Sequence, residues 1–441
     1  MNRPNCPGPI SRRGLIKHSI AASLGYMLGR SFIPSAWAAD DKGAALKGTG
    51  VGPGAGSGYV AAKGKAKNVI LLWMAGGPSH IDTFDPKPGT KESGGVKGIE
   101  AADGLQLSEK FPKLATQGRH LCVLRGVSSK EGDHNNATHL MHTGYREQSG
   151  VQFPSMGSIV CAEAKDGPRS ELPSYVAING GGGGPGFYGA AYGPFSVGAG
   201  QPIPDLKSPM PDQVIDSRRD LLDKLDNHYA GMTGAPLAME HRLTYERAVK
   251  LSRSPLAKLF ETKGEEKNAM AYGESGFAKA CYVAKRLVAK GGVRFVEITQ
   301  GGWDTHAKND ESTKSLCNQI DQPMARMIEE LQADGLLEST LIIWMGEFGR
   351  TPEINPGGGR DHYPRCFSIA LAGGGVKGGQ AIGKSTAGGH EPDGKAIVIP
   401  DFMYSVCDAC GIDPTHIRDS ADGRPIQVVD RGAKPVPGIF G

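Results

Sequence analysis

Residues 339–375 read STLIIWMGEFGRTPEINPGGGRDHYPRCFSIALAGGG, a stretch that places charged residues between two apolar runs. Thr340–Met345 and residues 366–372 are short runs typical of strands that are covered on both faces. Ligand sites in open α/β sheets lie outside the carboxyl ends of the strands. We therefore expect the polar residues between the two runs to converge there, namely Glu347, Arg350, Arg360, Asp361 and His362.

Three more apolar runs are followed by glycine and then by histidine or aspartate. They are Asn68–Met74 before His80 and Asp82, residues 120–127 before His134, and residues 293–299 before Asp304 and His306. Turn or helix capping explains His80 and Asp82 as well as a function does. A helix that begins near residue 135 places His134 at its amino end, where backbone N–H groups favour an anion. His142, in the same helix, fits a packing or capping role.

Composition indicates a globular protein with a sizeable core, because 39% of the 441 residues are hydrophobic and 22% are charged. Both one large domain and two domains fit this length. Of the 50 basic residues, five lie within positions 1–38, so 45 face the 46 acidic residues and leave a formal charge of −1. This balance gives no reason to expect a nucleic acid or an anionic membrane as a partner.

Positions 1–38 have the features of an export signal. Arg12 and Arg13 precede a weakly apolar stretch at 20–29, and the residues AWA at 36–38 fit a cleavage site. We predict a twin-arginine signal peptide at 1–38, a flexible leader at 39–66 and one folded domain at 67–441. No later stretch has the ~18–20 apolar residues of a membrane span. We expect an exported, periplasmic or extracellular protein without a transmembrane segment in its mature chain.

Imidazoles and carboxylates at several strand ends are the ligands that divalent transition metals prefer. We predict one or two divalent ions (zinc, manganese, iron or calcium) with the ligands His80, Asp82, Asp304, His306, Glu347 and His362. Such a cation lowers the pKa of a bound water toward neutrality. The predicted catalytic residues are His134, Arg350 and Asp361. Arg350 and Arg360 have the planar fork that matches the oxygens of a phosphate or sulfate group.

Several motifs resemble an exported family known as domain of unknown function 1501, a member of the alkaline-phosphatase and sulfatase superfamily. They are GGPSHIDTFDPKP at 76–88, GGWDTH at 301–306, EFGRTP at 347–352, GRDHYP at 359–364 and GRPIQVVD at 423–430. The resemblance covers nearly the whole predicted domain. It implies an α/β fold of the alkaline-phosphatase type, a three-layer sandwich whose central, mostly parallel sheet is flanked by helices.

The resemblance is uneven at the site itself. Asp304 and His306 resemble the superfamily's metal-binding Asp-and-His loop, and His362 resembles its last histidine. The superfamily's first aspartate falls at Ala75, its nucleophile falls near His134, and its Asp-His pair falls at residues 347–348. No Cys-x-Pro-x-Arg motif of ordinary sulfatases is present.

The predicted function is an exported metal-dependent hydrolase of phosphate or sulfate esters that lacks the usual Ser, Thr or Cys nucleophile, with a metal-bound hydroxide as the attacking group. Its partner would be a phosphate- or sulfate-bearing small molecule or glycan. The alternative is a catalytically inactive relative that binds an anionic glycan or an envelope partner through the same pocket. A metal carrier or a structural envelope protein is a third hypothesis.

Overall fold

The computed structural model describes residues 65–233 and 236–440. The predicted signal peptide at 1–38 and most of the predicted leader, up to residue 64, lie outside the described residues. Residues 65 and 66 are already joined to the folded part, since the Ala66 nitrogen donates to the Ala409 carbonyl and Lys65 pairs with Glu338.

A nine-stranded sheet forms the centre of the domain, and three two-stranded sheets lie outside it. The strands are β1 (Asn68–Met74), β2 (Gly98–Ala102), β3 (Leu105–Ser108), β4 (Leu121–Ser128), β5 (Tyr175–Ile178), β6 (Phe195–Val197), β7 (Phe295–Gln300), β8 (Thr340–Met345), β9 (Gly349–Arg350), β10 (His362–Tyr363), β11 (Phe367–Ala372), β12 (Gln380–Ile382), β13 (Ile397–Val398), β14 (Ile417–Asp419) and β15 (Pro425–Gln427). The central order is β12-β4-β11-β8-β1-β7-β5-β6, with β13 also paired to β4.

Parallel pairing dominates this sheet. β1 pairs in parallel with both β7 and β8, whereas β11 runs antiparallel to its neighbours β4 and β8. As a result, β1, β4, β7 and β8 end at the same edge of the sheet, and β11 begins there. The chain segments that carry the predicted site residues therefore meet at one edge, as the rule for open α/β sheets requires.

Two hydrophobic layers sandwich the sheet because successive side chains of each strand point to opposite faces. Val69 and Leu71 of β1 join one layer, and Ile70 and Leu72 join the other. Nine α-helices lie in the described residues: α1 (Pro112–Ala115), α2 (His134–Thr143), α3 (Met156–Ala162), α4 (Asp212–Thr233), α5 (Pro236–Arg253), α6 (Glu266–Met270), α7 (Gly276–Gly291), α8 (Asn309–Ala333) and α9 (Ile399–Ala409). α7 and α8 cover one face, and α2, α3 and α9 cover the other. The predicted three-layer α/β architecture is confirmed.

Two helix predictions need correction. The predicted helix at 320–331 begins eleven residues earlier, at Asn309, because its first turns are polar and carry no apolar period. The periodic apolar residues near 211–229 and 237–260 predict amphipathic helices on the sheet. In the structure α4 packs against α5 and no described side chain of α4 is buried, whereas Leu251 of α5 is buried in the same layer as Ile70. Among the described helices, none is long and apolar enough to cross a membrane.

A buried ion pair holds α2 against the sheet. His142, near the carboxyl end of α2, lies 3.1 Å from Glu297 Oε1 of β7, and the Tyr175 hydroxyl donates to Glu297 Oε2 at 2.6 Å. Burial by itself would lower the pKa of His142, but the negative charge of Glu297 outweighs it and raises that pKa above 6.5. Burial would raise the pKa of Glu297, but His142 lowers it below 4.5. Each group therefore favours the charged form of the other, and His142 has the packing role that its sequence position suggested.

We predict that this pair stabilises the fold most strongly between pH 4.5 and 6.5. The contribution of His142 to stability is complete below the pKa of the unfolded state and is lost as pH rises through the raised pKa of the folded state. The contribution of Glu297 is lost as pH falls through its lowered pKa in the folded state. Glu297→Gln should cost about 3–5 kcal/mol of unfolding free energy near pH 5.5 and less near pH 8.5. Urea denaturation at both pH values measures this, and a cost that rises with pH would contradict it.

Candidate metal centre

The candidate site lies at the sheet edge where β1, β4, β7 and β8 end. The loops after β1 and β7 approach so closely that a Cβ on Gly76, which has φ +121°, would lie 2.3 Å from the Asp304 nitrogen. A Cβ on Gly359 would lie 1.9 Å from the His306 carbonyl oxygen. Only glycine permits these approaches. Backbone contact thus fixes the positions of Asp304 and His306 relative to the neighbouring strands.

His134 is placed by the start of α2. The side chain of Asp133 accepts hydrogen bonds from the Asn135 and Asn136 nitrogens at 2.9 and 3.2 Å, so the helix begins at His134. His362 is placed by a short hairpin, in which β10 pairs with β9 and His362 lies opposite Arg350.

Four side chains bring potential ligand atoms together at this edge. Asp304 Oδ1 lies 3.0 Å from His306 Nε2 and 3.2 Å from His362 Nε2. The Nε2 atoms of His306 and His362 lie 3.0 Å apart. His134 Nε2 lies 3.5 Å from Asp304 Oδ1, and the ligand atoms of His134, Asp304 and His362 all lie within 4.8 Å of one another. We call these four side chains the His/Asp cluster.

Each imidazole of the His/Asp cluster has an oxygen acceptor at its Nδ1 atom. The pairs are His134 with Glu347 Oε1 at 2.7 Å, His306 with Asp361 Oδ1 at 2.8 Å, and His362 with the Gly132 carbonyl at 2.9 Å. A carbonyl or an ionised carboxylate only accepts, so Nδ1 carries the hydrogen in each ring. Each neutral ring therefore presents the lone pair of Nε2 to the cluster, an arrangement in which outer partners orient metal-binding histidines.

The geometry and the donor set fit a divalent transition metal. A cation with metal–nitrogen distances near 2.1 Å has neighbouring ligand atoms about 3.0 Å apart if octahedral and about 3.4 Å apart if tetrahedral. The triangle of Asp304, His306 and His362 has sides of 3.0, 3.0 and 3.2 Å. His134 Nε2 is buried and has no hydrogen-bond partner. Imidazole ligands suit zinc, manganese or iron, whereas calcium prefers oxygen ligands.

Glu347 and Asp361 lie one step behind the cluster rather than in it. Glu347 was predicted to bind metal, but its Oε1 accepts hydrogen bonds from His134 and from the Gly76 nitrogen, the latter at 2.8 Å. Asp361 was predicted to be catalytic and instead accepts from His306 and Asn355. Both carboxylates thus orient cluster histidines, while Glu347 Oε2 is buried and has no hydrogen-bond partner.

Arg350 and Arg360 were predicted to hold phosphate or sulfate oxygens, but in the structure both side chains bind other groups of the chain. Both side chains are fully buried. Arg350 donates to the carbonyls of Gly76, Gly77 and Arg360 and to Asp304 Oδ1. Partial burial would raise the pKa of Asp304, but the hydrogen bond from Arg350 outweighs it and lowers that pKa to about 2. Arg350 thus keeps Asp304 ionised and is not available to bind a ligand.

His80 and Asp82 were predicted to bind metal, but their contacts in the structure lie outside the His/Asp cluster. Asp82 is buried and forms ion pairs with Arg360 at 2.8 Å and with Lys110 at 3.2 Å. His80 is buried and its Nε2 donates to the Gly389 carbonyl at 2.9 Å. Neither side chain reaches the His/Asp cluster. These contacts fit the turn or capping role, which was the alternative interpretation of the sequence.

Comparison with known families identifies the chain. The model of the family described as Protein of unknown function (DUF1501) matches residues 66–440. The chain belongs to the DUF1501 family. The match begins one residue before the predicted domain and confirms the resemblance that the motifs suggested. No curated protein matches the chain.

Solved structures similar to this DUF1501 chain come from sulfatases, alkaline phosphatases and related enzymes. The lipoteichoic acid synthase LtaP from Listeria monocytogenes is 10% identical, over 81% of this chain and 75% of that one, with a TM-score of 0.37. The PsFucS1 sulfatase from Pseudoalteromonas sp. is 12% identical over 79% and 68%, with a TM-score of 0.36. A magnesium-bound mutant of the TAB5 alkaline phosphatase, from an Antarctic bacterium, is 11% identical over 79% and 99%, with a TM-score of 0.36. Such distant likeness assigns neither a substrate nor a site.

Three residues of the DUF1501 site were not predicted from sequence. The Gly132 carbonyl orients His362, Asn355 donates to Asp361 and to the His306 carbonyl, and the Phe348 ring packs at 4.6 Å from His362. A backbone carbonyl has no sequence signal. Asn355 lies in the GRTPEINPGGGRDH segment between two predicted site residues, which was the only available indication of its role.

We predict that metal binding separates these residues into three classes. His306→Ala should lose the bound metal, and Asp361→Asn should weaken metal affinity by about 10–100-fold because it frees the His306 ring to turn. Asp82→Asn serves as the matched control: it should retain the metal but lose about 3–5 kcal/mol of stability, since Arg360 and Lys110 lose a buried counter-charge.

Elemental analysis with chelator competition measures the first two effects, and urea denaturation measures the third. Loss of metal from Asp82→Asn together with its retention by His306→Ala would contradict the assignment of the site.

Proposed function

We propose that this DUF1501 protein is an exported, metal-dependent hydrolase of phosphate or sulfate esters. One observation carries the proposal: three imidazoles, each oriented through Nδ1, present Nε2 to the carboxylate of Asp304 at the carboxyl edge of a parallel sheet. The site is open to solvent, since the side chain of Asp304 is 47% exposed. The chain is also proposed to leave the cytoplasm through the signal that Arg12 and Arg13 indicate.

In this proposal, Asp304, His306 and His362 hold the cation, because their ligand atoms form the tightest triangle of the cluster. Three protein ligands leave coordination positions open, as in catalytic zinc sites. A bound divalent cation would polarise the ester and make water a stronger acid. Zinc, manganese and iron all fit this set of ligands, and the donor chemistry argues against calcium.

His134 has the arrangement of a general base. Its Nδ1–H donates to Glu347, which fixes the ring and stabilises the positive charge that forms when Nε2 accepts a proton. Nε2 faces Asp304 at 3.5 Å, at the border of the cluster. Water is then the nucleophile, since no Ser, Thr or Cys side chain forms a hydrogen bond with the cluster in the described parts of the chain.

A binding protein without catalytic activity is the second candidate. The burial of Arg350 and Arg360 favours it, because a phosphoryl- or sulfuryl-transfer site usually has free cationic groups around the developing negative charge. Such a protein would retain an anionic small molecule or glycan at the cation and release it unchanged.

Turnover distinguishes the two candidates. The purified protein, loaded in turn with zinc, manganese and iron, should hydrolyse p-nitrophenyl phosphate, bis-p-nitrophenyl phosphate or p-nitrophenyl sulfate, and chelation should abolish the reaction. Asp304→Asn should be inactive with each metal. A metal-loaded protein that binds phosphate or sulfate in calorimetry without turnover of any of the three esters would establish the second candidate instead.

His134→Gln tests the proposed general base. The variant should retain the metal at the wild-type stoichiometry, while turnover falls by about 10²–10⁴-fold, the usual contribution of a general base. His362→Gln is the control for a ligand and should lose the metal. If His134→Gln loses the metal as His362→Gln does, His134 is a fourth ligand and not a base.

A further inference from the structure

Helix α4 carries an apolar row that nothing in the described chain covers. Val214, Leu221, Leu225 and Met232 are 39%, 59%, 58% and 72% exposed. At 100° per residue these four positions lie within about 40° of one another around the helix. Four large apolar side chains aligned along one side of a helix differ from the scattered exposed residues of ordinary surfaces and indicate an interface.

The row has the spacing of a coiled-coil seam. With the exposed residues Arg218 and His228 included, its positions are 214, 218, 221, 225, 228 and 232, which alternate between steps of four and three. The neighbouring row of α4 is half-buried and faces α5, and its Asp226 lies 3.2 Å from His241 of that helix. One side of α4 is thus used within the chain, and the adjacent seam remains open.

The order of residues in the open seam is symmetric about position 223. When a second copy of the helix is laid antiparallel, Leu221 faces Leu225 of the partner subunit, Val214 faces Met232 of the partner subunit, and Arg218 faces His228 of the partner subunit. Each contact occurs twice, as a two-fold axis requires. The residue types match as well as the positions, since Val214, Leu221, Leu225 and Met232 all face apolar residues in this arrangement. We propose that the protein forms a homodimer through antiparallel pairing of two α4 helices.

Length supports a second copy as the occupant, and the charge of α4 argues against a membrane. Between residues 212 and 226, α4 carries five aspartates, at 212, 216, 220, 223 and 226, and three basic residues, Arg218, Arg219 and Lys224. This acidic balance opposes binding to an anionic membrane. From Val214 to Met232 the seam spans about 27 Å. Its six positions form three pairs, and each pair occurs twice in the dimer. The interface also leaves the His/Asp cluster free, because none of its residues lies on α4.

Two charge substitutions with opposite expected effects test the proposal. Leu225→Glu places an acid against Leu221 of the partner subunit and should weaken the dimer by about tenfold or more. His228→Glu places an acid opposite Arg218 of the partner subunit and should tighten it. Asn227→Glu, on the side of α4 away from the seam, is the control and should have no effect. Sedimentation velocity over a range of concentrations measures all four proteins.

Cross-linking tests the orientation. A mixture of the Leu221→Cys and Leu225→Cys variants should form disulfide-linked dimers faster than either variant alone. A monomeric wild type, a dimer unaffected by Leu225→Glu, or a fastest cross-link within one variant alone would each overturn the proposal. Circular dichroism and urea denaturation confirm that each variant is folded. These results do not depend on the hydrolase assays, so failure of either proposal can be recognised separately.

Discussion

The missing side chain at Gly76 is the constraint on which the candidate metal centre depends. The loop after β1 passes so close to the Asp304 nitrogen that no other residue fits there. From this position the Gly76 nitrogen donates to Glu347 and its carbonyl accepts from Arg350. Glu347 in turn orients His134, and Arg350 contacts Asp304. One glycine thus connects the loops after β1, β4, β7 and β8, and a side chain there would separate the ligands it brings together.

The charges around the cluster are balanced for a divalent cation. Asp304, Glu347 and Asp361 contribute three negative charges within the hydrogen-bonded network, and Arg350 contributes one positive charge. The sum of −2 equals the charge that a divalent cation would neutralise. Because Arg350 is buried and keeps Asp304 ionised, the carboxylate stays a ligand and does not take up a proton. The same burial removes Arg350 from contact with a substrate, so charge stabilisation of the substrate would fall to the cation.

The sequence was most informative where side-chain pattern alone decides the outcome. Apolar runs placed β1 and β8 at their observed bounds, and the rule for sheet edges brought His134, Asp304, His306 and His362 together. It failed where the partner of a charged residue decides. Arg360 was predicted to bind phosphate or sulfate oxygens, and Asp82 was predicted to bind a metal. In the structure they form an ion pair with each other, although 278 positions separate them in sequence. Spacing does not reveal such pairs, because only the folded chain shows which opposite charges share a buried volume.

Helix propensity without burial explains the other failure. The period of apolar residues in α4 predicted the helix correctly. It did not show what the apolar side of the helix packs against, and the sheet was expected to be that partner. The helix has two adjacent rows, and α5 occupies only one of them. The excess apolar row is unnecessary for a helix that only packs within its own chain, since a solvent-facing position favours polar residues. The second row therefore carries information about an interaction between chains, which the pattern within one chain cannot express.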